Sequence, residues 1–176
     1  SKFRRRIKTD INQPTSRPPV LIVGNITVGG TGKTPVIVAL ARRLEQQGAK
    51  VGVIARGYGA SGASKTVPIV LHSNSNVIEV GDEPLMVWRR LNENGIRASA
   101  VPVVVCRNRL AAYDRLVSAF NVDVVLSDDG LQHYALPRAY EIVVVDGQRK
   151  FGNHRLLPAG PLREPIERLK HADLID

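Results

Sequence analysis

The most constraining stretch of this chain is an apolar run that breaks into glycines and then opens a helix. Val20 to Val23 reads as a buried strand that stops at Gly24. Asn25-Ile26-Thr27-Val28-Gly29-Gly30-Thr31-Gly32 follows, too rich in glycine for either regular element. From Lys33 to Gln47 the residues Val36, Leu40 and Leu44 recur at helical spacing, with Gly48 just beyond. A strand, a tight turn and a helix in that order is the first half of a βαβ unit, which implies a parallel sheet.

The rest of the chain repeats the alternation. Strands are predicted at Val51–Ala55, Val101–Val105, Val122–Leu126 and Glu141–Val145, with a further one beginning at Ala172–Ile175. Helices are predicted at Glu83–Asn94 and Arg107–Phe120. Val67–Leu71 and Val77–Val80 read as a short hairpin or two edge strands. Residues 60–66 are a Gly/Ser-rich loop, and 147–165 a long ordered loop rich in Gly and Pro. The expected architecture is α/β: a P-loop NTPase-like, mainly parallel sheet with helices on both faces. Residues 1–19 read as a basic arm or linker and 20–176 as the folded lobe.

Composition removes several classes. A length of 176 residues with 43% hydrophobic and 23% charged residues suits one globular domain and excludes wholesale disorder. The lone Cys106 excludes a disulfide framework and a cysteine-rich zinc site. No apolar run approaches the roughly 20 residues that span a bilayer. No signal peptide is visible, which favours the cytosolic side. The net charge of +9 is uneven, with +5 of it in residues 1–18. Such an arm suits an anionic membrane surface, nucleic acid or plain solvation.

The glycine turn carries the clearest chemistry. Successive backbone N–H groups and the helix N-terminus of a P-loop point at phosphate oxygens. Thr27, Val28, Gly29, Gly30, Thr31 and Gly32 would form the cradle, Lys33 would reach the β and γ phosphates, and the Thr34 hydroxyl would ligate Mg²⁺. One position departs from the pattern: Thr27 stands where such loops usually carry their first glycine. The alternative is an ordinary glycine turn capping a helix.

Val124-Val125-Leu126 runs into Ser127-Asp128-Asp129-Gly130, acids at the end of an apolar strand. That arrangement places a carboxylate where it holds Mg²⁺; the alternative is a turn opened by Asp-Asp-Gly. Gln132 and His133 follow closely, and His133 is read either as a phosphate or acceptor contact or as a packed histidine. Gly81-Asp82-Glu83-Pro84 precedes a helix, so Asp82 is either an N-cap or an acceptor for the proton of an attacking hydroxyl. The segment 156–165 holds three prolines and an adjacent Arg163 and Glu164, read as an Arg–Glu pair on a stiff loop. Arg163 would neutralise phosphate charge and Glu164 would join a metal shell. Arg56 and Arg109 fall near strand ends, where either meets an anion or faces solvent.

Together these segments resemble the tetraacyldisaccharide 4′-kinase family. The matching stretches are 23–35, Arg56-Gly57-Tyr58-Gly59, Gly81-Asp82-Glu83-Pro84, Asp128-Asp129-Gly130-Leu131-Gln132-His133, Phe151-Gly152-Asn153 and 156–165, in the family's order. The resemblance implies ATP-dependent phosphorylation of the 4′-hydroxyl of a tetraacyl glucosamine disaccharide 1-phosphate, in lipid A biosynthesis, at the cytoplasmic face of the bacterial inner membrane. It accounts for Thr27, since the family usually lacks that glycine. By position it implies Lys33, Asp82 and Asp129 as catalytic, and Thr34, Asp128, Asp129, Gln132 and Glu164 around Mg²⁺. Arg56, Arg109, His133 and Arg163 fall around nucleotide and acceptor phosphate. No nucleic-acid partner is expected, since the basic excess sits in one arm and aromatic residues are only 5%.

Two departures qualify the resemblance. Family members are longer, with a second α/β lobe that supplies a histidine partner for the catalytic Asp and with an apolar entry helix. This lobe by itself is therefore expected to be inactive as a lipid kinase. The rival reading is a nucleotide-switch ATPase of the partition type, disfavoured because Val28 stands where such loops often place a lysine.

Overall fold

Buried apolar runs frame the molecule, a computed structural model that describes residues 17–57, 67–92 and 100–176. The strands are β1 (Val20–Gly24), β2 (Val51–Ala55), β3 (Ile69–Val70), β4 (Val103–Val105), β5 (Val124–Asp128), β6 (Tyr140–Val143) and β7 (Leu174–Ile175). They form one sheet in the order β3-β4-β2-β5-β1-β6-β7. Every pairing is parallel except β3 against β4, which is antiparallel and closes one edge. Every residue of β1, β2, β4, β5 and β6 is buried. Such continuous apolar runs are what a parallel sheet covered on both faces demands.

The helices are α1 (Lys33–Gln46), α2 (Val77–Val80), α3 (Asp82–Asn92) and α4 (Arg109–Ala119), with a 3-10 helix at Ile166–His171. Side-chain alternation along the strands divides the core in two. Leu21, Val23, Val53 and Val103 pack with Ile37, Ala41 and Leu44 of α1 and with Leu85 and Leu91 of α3. Val20, Ile22, Ile54 and Val104 pack with Ala112, Tyr113 and Leu116 of α4. Leu131, Leu136 and Leu162 from the loops complete that second face.

Two expectations are corrected. Val77–Val80 is a helical turn rather than a strand. The Asn76 side chain accepts the Ile78 N–H and Gly81 ends the turn, so local capping prevails over β-branched composition. No hairpin forms at 67–71 either, because only Ile69 and Val70 pair, on the edge of β4. The proposed arm lies mostly outside the described residues, as do Tyr58, Gly59 and the loop 60–66. Within its last residues the fold has already begun. The Tyr113 hydroxyl donates to the Pro18 carbonyl (2.9 Å), and the Val125 N–H to that of Pro19 (3.0 Å).

Because β1 lies between β5 and β6, the segments leaving their carboxyl ends are neighbours. Val23 is level with Asp128 across β1 and β5. Ligands of open α/β sheets bind beyond these ends, and the chemical motifs converge there.

Candidate active site

The glycine turn leaves β1 and enters α1 through Gly32, whose φ of 82° is the left-handed conformation that suits glycine. Gly29 adopts a similar one, with φ 98°. No side chain caps α1, and no acid stands in its first turn. The other long helices differ: Asn108 caps α4 through the Leu110 and Ala111 N–H groups, and α3 begins with Asp82 and Glu83. The N-terminus of α1 is therefore left with free N–H donors and an uncompensated dipole, the physical requirement for an anion site.

Lys33 sits at that terminus. Its Nζ donates to Asn25 Oδ1 at 3.2 Å and lies 3.4 Å from Asp129 Oδ1. Asn25 is fully buried, and its amide also reaches the Gly29 carbonyl at 3.5 Å. The sequence reading gave Asn25 no role, although its place between an apolar strand and the glycines marks it. Arg149 also escaped notice: its NH1 lies 3.6 Å from where a Cβ on Gly29 would stand.

The acid pair splits in two directions. Asp128 is the last residue of β5, 5% exposed, and its Oδ1 is buried without a hydrogen-bond partner. Burial pushes its carboxyl up to about 6 against the pull of Lys33 and Arg109. Asp129 turns away in the left-handed region, φ 49°. Burial raises its carboxyl too, but Lys33 and Arg163 prevail and hold it below the ordinary value. Arg163 NH1 reaches both Asp129 oxygens, at 3.1 and 3.0 Å.

Arg109, read from sequence as a substrate contact or a surface arginine, is 3% exposed. Its NH2 donates to the Asp128 carbonyl at 2.5 Å, while Nε and NH1 are buried without partners. Desolvation lowers it to about 10. His133 is half-buried, and burial followed by the nearby charges of Arg109 and Arg56 lowers its pKa. Arg56, Arg109 and His133 thus form a basic cluster behind the acid pair.

The proline loop is stitched to the glycine turn. The Val28 N–H donates to the Pro161 carbonyl (2.8 Å) and the Arg163 N–H to that of Ile26 (2.7 Å). Asn153 fastens the loop from below by donating to the Ala159 carbonyl and accepting the Arg155 N–H. A Cβ on Gly160 would lie 2.1 Å from Asn153 Oδ1, so only glycine admits this approach. Two of the sequence segments, 151–153 and 156–165, are therefore one structural unit.

Arg163 and Glu164 do not pair with each other, which corrects the reading of the loop. Each side chain has its own partners: Arg163 goes to Asp129, and Glu164 to Gln132 Nε2 (2.7 Å), the Tyr134 hydroxyl (2.6 Å) and Arg168 Nε (3.3 Å). Both Glu164 oxygens are engaged in these contacts, through which it braces Gln132. Gln132 Nε2 also reaches the Asn25 carbonyl at 3.3 Å. Asp82 opens α3, exposed, with its Oδ1 accepting the Glu83 N–H at 2.9 Å. Glu83 is near enough that its charge also pushes Asp128 upward.

The profile of the Tetraacyldisaccharide-1-P 4′-kinase family matches residues 1–175. The chain belongs to that family. The tetraacyldisaccharide 4′-kinase of Hahella chejuensis is 48% identical over 159 residues, 90% of this chain and 44% of the relative. That of Alcanivorax borkumensis is 47% identical over 173 residues, 98% of this chain and 50% of the relative. The crystal structure of the Aquifex aeolicus family member, described as an "apo" form in complex with ATP, superposes with a TM-score of 0.75 at 29% identity. It covers 99% of this chain and 53% of that one. The chain spans about half the length of these relatives. Family membership sets aside the nucleotide-switch alternative.

Proposed function

We propose that this chain supplies the nucleotide half of an ATP-dependent kinase that phosphorylates the 4′-hydroxyl of a tetraacyl glucosamine disaccharide 1-phosphate. The observation that carries the reading is the uncapped N-terminus of α1, with Lys33 held between Asn25 and Asp129 directly above it. Kinase relatives at 47–50% identity support the acceptor class. The tetraacyldisaccharide in their names, an acylated acceptor, supports action at an anionic membrane surface, on the cytoplasmic face of the inner membrane. Among the described residues no helix is long and apolar enough to cross a membrane.

Phosphoryl transfer depends on positioning and charge neutralisation more than on covalent chemistry. The residues present suit Mg²⁺, which typically takes one or two carboxylates plus phosphate and water. The buried, unpartnered Asp128 Oδ1 supports a cation there. Asp128, Asp129 and Thr34 would hold the ion. When bound, Mg²⁺ neutralises charge on the phosphate oxygens.

The backbone of 27–32, apart from the Val28 N–H that Pro161 takes, cradles phosphates, and Lys33 moves from Asn25 and Asp129 to the β and γ oxygens. Arg163 restrains Asp129, while Arg56 and Arg109 offset negative charge behind it and the neutral ring of His133 offers a hydrogen bond. Asp82 orients the sugar hydroxyl and accepts its proton as the new bond forms; a weak acid needs no earlier base. The Glu83 N–H bond to Asp82 Oδ1 leaves the other carboxylate oxygen for that task. The test is product analysis of a chain of the relatives' length that contains these residues, given ATP and the lipid disaccharide 1-phosphate. Phosphate on the 4′-hydroxyl is the expected outcome; nucleotide hydrolysis with no lipid product would overturn the reading.

A further inference from the structure

One charged cluster beside the site has no part in the proposal above. Glu141 stands in β6, in the run Tyr140-Glu141-Ile142-Val143, and is 6% exposed. A carboxylate in an otherwise apolar buried strand breaks the local rule, and such breaks concentrate where function imposes them. Its Oε1 accepts from Arg138 NH1 at 2.5 Å and Arg168 NH2 at 2.6 Å, and its Oε2 from Arg168 NH2 at 2.7 Å.

Each arginine then reaches the loop that carries Gln132 and His133. Arg138 donates to the Leu131 carbonyl (3.1 Å) and the His133 carbonyl (2.7 Å), and its guanidinium lies over the Tyr134 ring. Arg168 Nε meets Glu164, which holds Gln132 and Tyr134. Four consecutive residues, 131 to 134, are thus fixed from one carboxylate, and Gln132 carries the chain of contacts on to Asn25 beside Lys33.

We propose that Glu141 is a positioning residue for phosphoryl transfer, orienting Arg138 and Arg168 so that they set the 131–134 loop against the glycine turn. The inference rests on the kinase reading. Stability alone is a poor reason for the cluster, since well-packed apolar residues commonly replace a buried ion pair at no loss. Direction is a better one: the planar guanidinium of Arg168 spans Glu141 and Glu164 at once, which a lysine ammonium does not reproduce.

The test uses the full-length enzyme with Glu141→Gln, Arg168→Lys and Gln132→Ala, alone and combined. Supporting contacts of this kind typically change activity 10–100-fold. Glu141→Gln is expected to lower kcat at least about tenfold while the KM for ATP stays within about threefold. Combined with Gln132→Ala, the loss is expected to fall short of the product of the two, because both act through the same contacts. If Glu141→Gln does not fold, Arg168→Lys keeps the charge and should show the same loss.

A second readout needs no turnover. In nucleotide-free protein, the backbone amides of 131–134 should exchange with solvent faster in the variant, because the contacts from Arg138 and Glu164 hold that loop. Wild-type kcat in folded variants, fully multiplicative losses or unchanged exchange at 131–134 would overturn the role of Glu141. A wild-type enzyme that makes no 4′-phosphorylated lipid would overturn the kinase reading instead, and the exchange at 131–134 would still decide whether Glu141 sets the loop.

Discussion

Two charged regions lie one loop apart and handle burial in opposite ways. At the ends of β1 and β5, Asp128 Oδ1, Thr31 Oγ1 and Arg109 Nε and NH1 are buried with no hydrogen-bond partner. In the Glu141 cluster both carboxylates and both arginines are paired, and only Arg168 NH1 lacks a partner. Desolvation therefore wins at Asp128 and pushes its carboxyl up. At Glu141 the same burial is overcome by hydrogen bonds from Arg168 and Arg138, and the carboxyl is held below its ordinary value. A buried polar group without a partner costs about 1–3 kcal/mol, and the chain carries that cost where a ligand is to bind. The brace carries it at one atom only, Arg168 NH1, because its task is to keep its shape with or without ligand.

The contrast is broken most severely at Lys33. Lys33→Ala is expected to reduce turnover of the full-length enzyme by about 10³-fold or more, since a preorganised cation on the transferring phosphate is lost. A thermal melt should show the fold intact, because Asp129 keeps Arg163. Near-normal turnover in a folded variant would remove the P-loop assignment.

Asp82→Asn comes next. Asn still accepts the Glu83 N–H, so the helix start survives while the proton acceptor does not. A fall in kcat of about 10²–10⁴ is expected, with ATP binding little changed. Full kcat in this variant would leave Asp82 as a helix-terminal residue only.

Stability tests the brace. Glu141→Gln leaves two partly buried arginines short of a counter-charge and is expected to cost up to about 3 kcal/mol at neutral pH. The folded carboxyl is depressed, so its stabilisation is complete above the ordinary Glu value of 4.5 and fades as pH falls through the folded value. Denaturant melts of wild type and variant should therefore differ most at pH 7 and converge in acid. A gap that persists unchanged at low pH would mean that packing, not charge, stabilises the cluster.

These two regions were unequally legible in the sequence. Lys33, Asp128 and Asp129 stand at the ends of apolar runs, where the order strand, turn, helix fixes their place. Parallel strands made of unbroken Val, Ile and Leu announce themselves by the same logic. The brace is assembled from residues 132, 134, 138, 141, 164 and 168, which share no period; only Gln132 and Glu164 were singled out in the sequence, as residues around Mg²⁺. Glu141 offered a clue, as an acid in the middle of a buried strand rather than at its end. Arg163 and Glu164 misled because adjacency in sequence suggests a pair, whereas each finds an opposite charge from another segment, Asp129 and Arg168. Val77–Val80 misled because β-branched composition was weighed without the Asn76 cap that precedes it. Arg109 was hidden for a different reason: position at a helix start says nothing about whether a side chain reaches back under β5.

The smallest expected effect is the most diagnostic of the contrast, because its sign is reversed. Asp128→Asn removes a buried charge that the fold alone does not satisfy. A carboxyl raised to about 6 favours the protonated native state, so wild-type stability declines as pH rises from the ordinary value of 3.8 to about 6 and stays reduced above it. The Asn variant lacks this penalty. Without nucleotide and with divalent cations chelated, it should be more stable than wild type by about 1–2 kcal/mol at pH 7, a discounted reading of a carboxyl displaced that far. The gain should vanish near pH 4, where wild-type Asp128 is protonated as well. Denaturant unfolding across pH 4 to 8 measures this, and the Glu141→Gln series run beside it should diverge in the opposite direction over the same range. Activity of the Asn variant should be lost, the usual relation between a strained site and the stability given up to keep it. A destabilised Asp128→Asn would mean that Arg109 depends on the Asp128 charge more than burial opposes it, and the two regions would then differ in degree only.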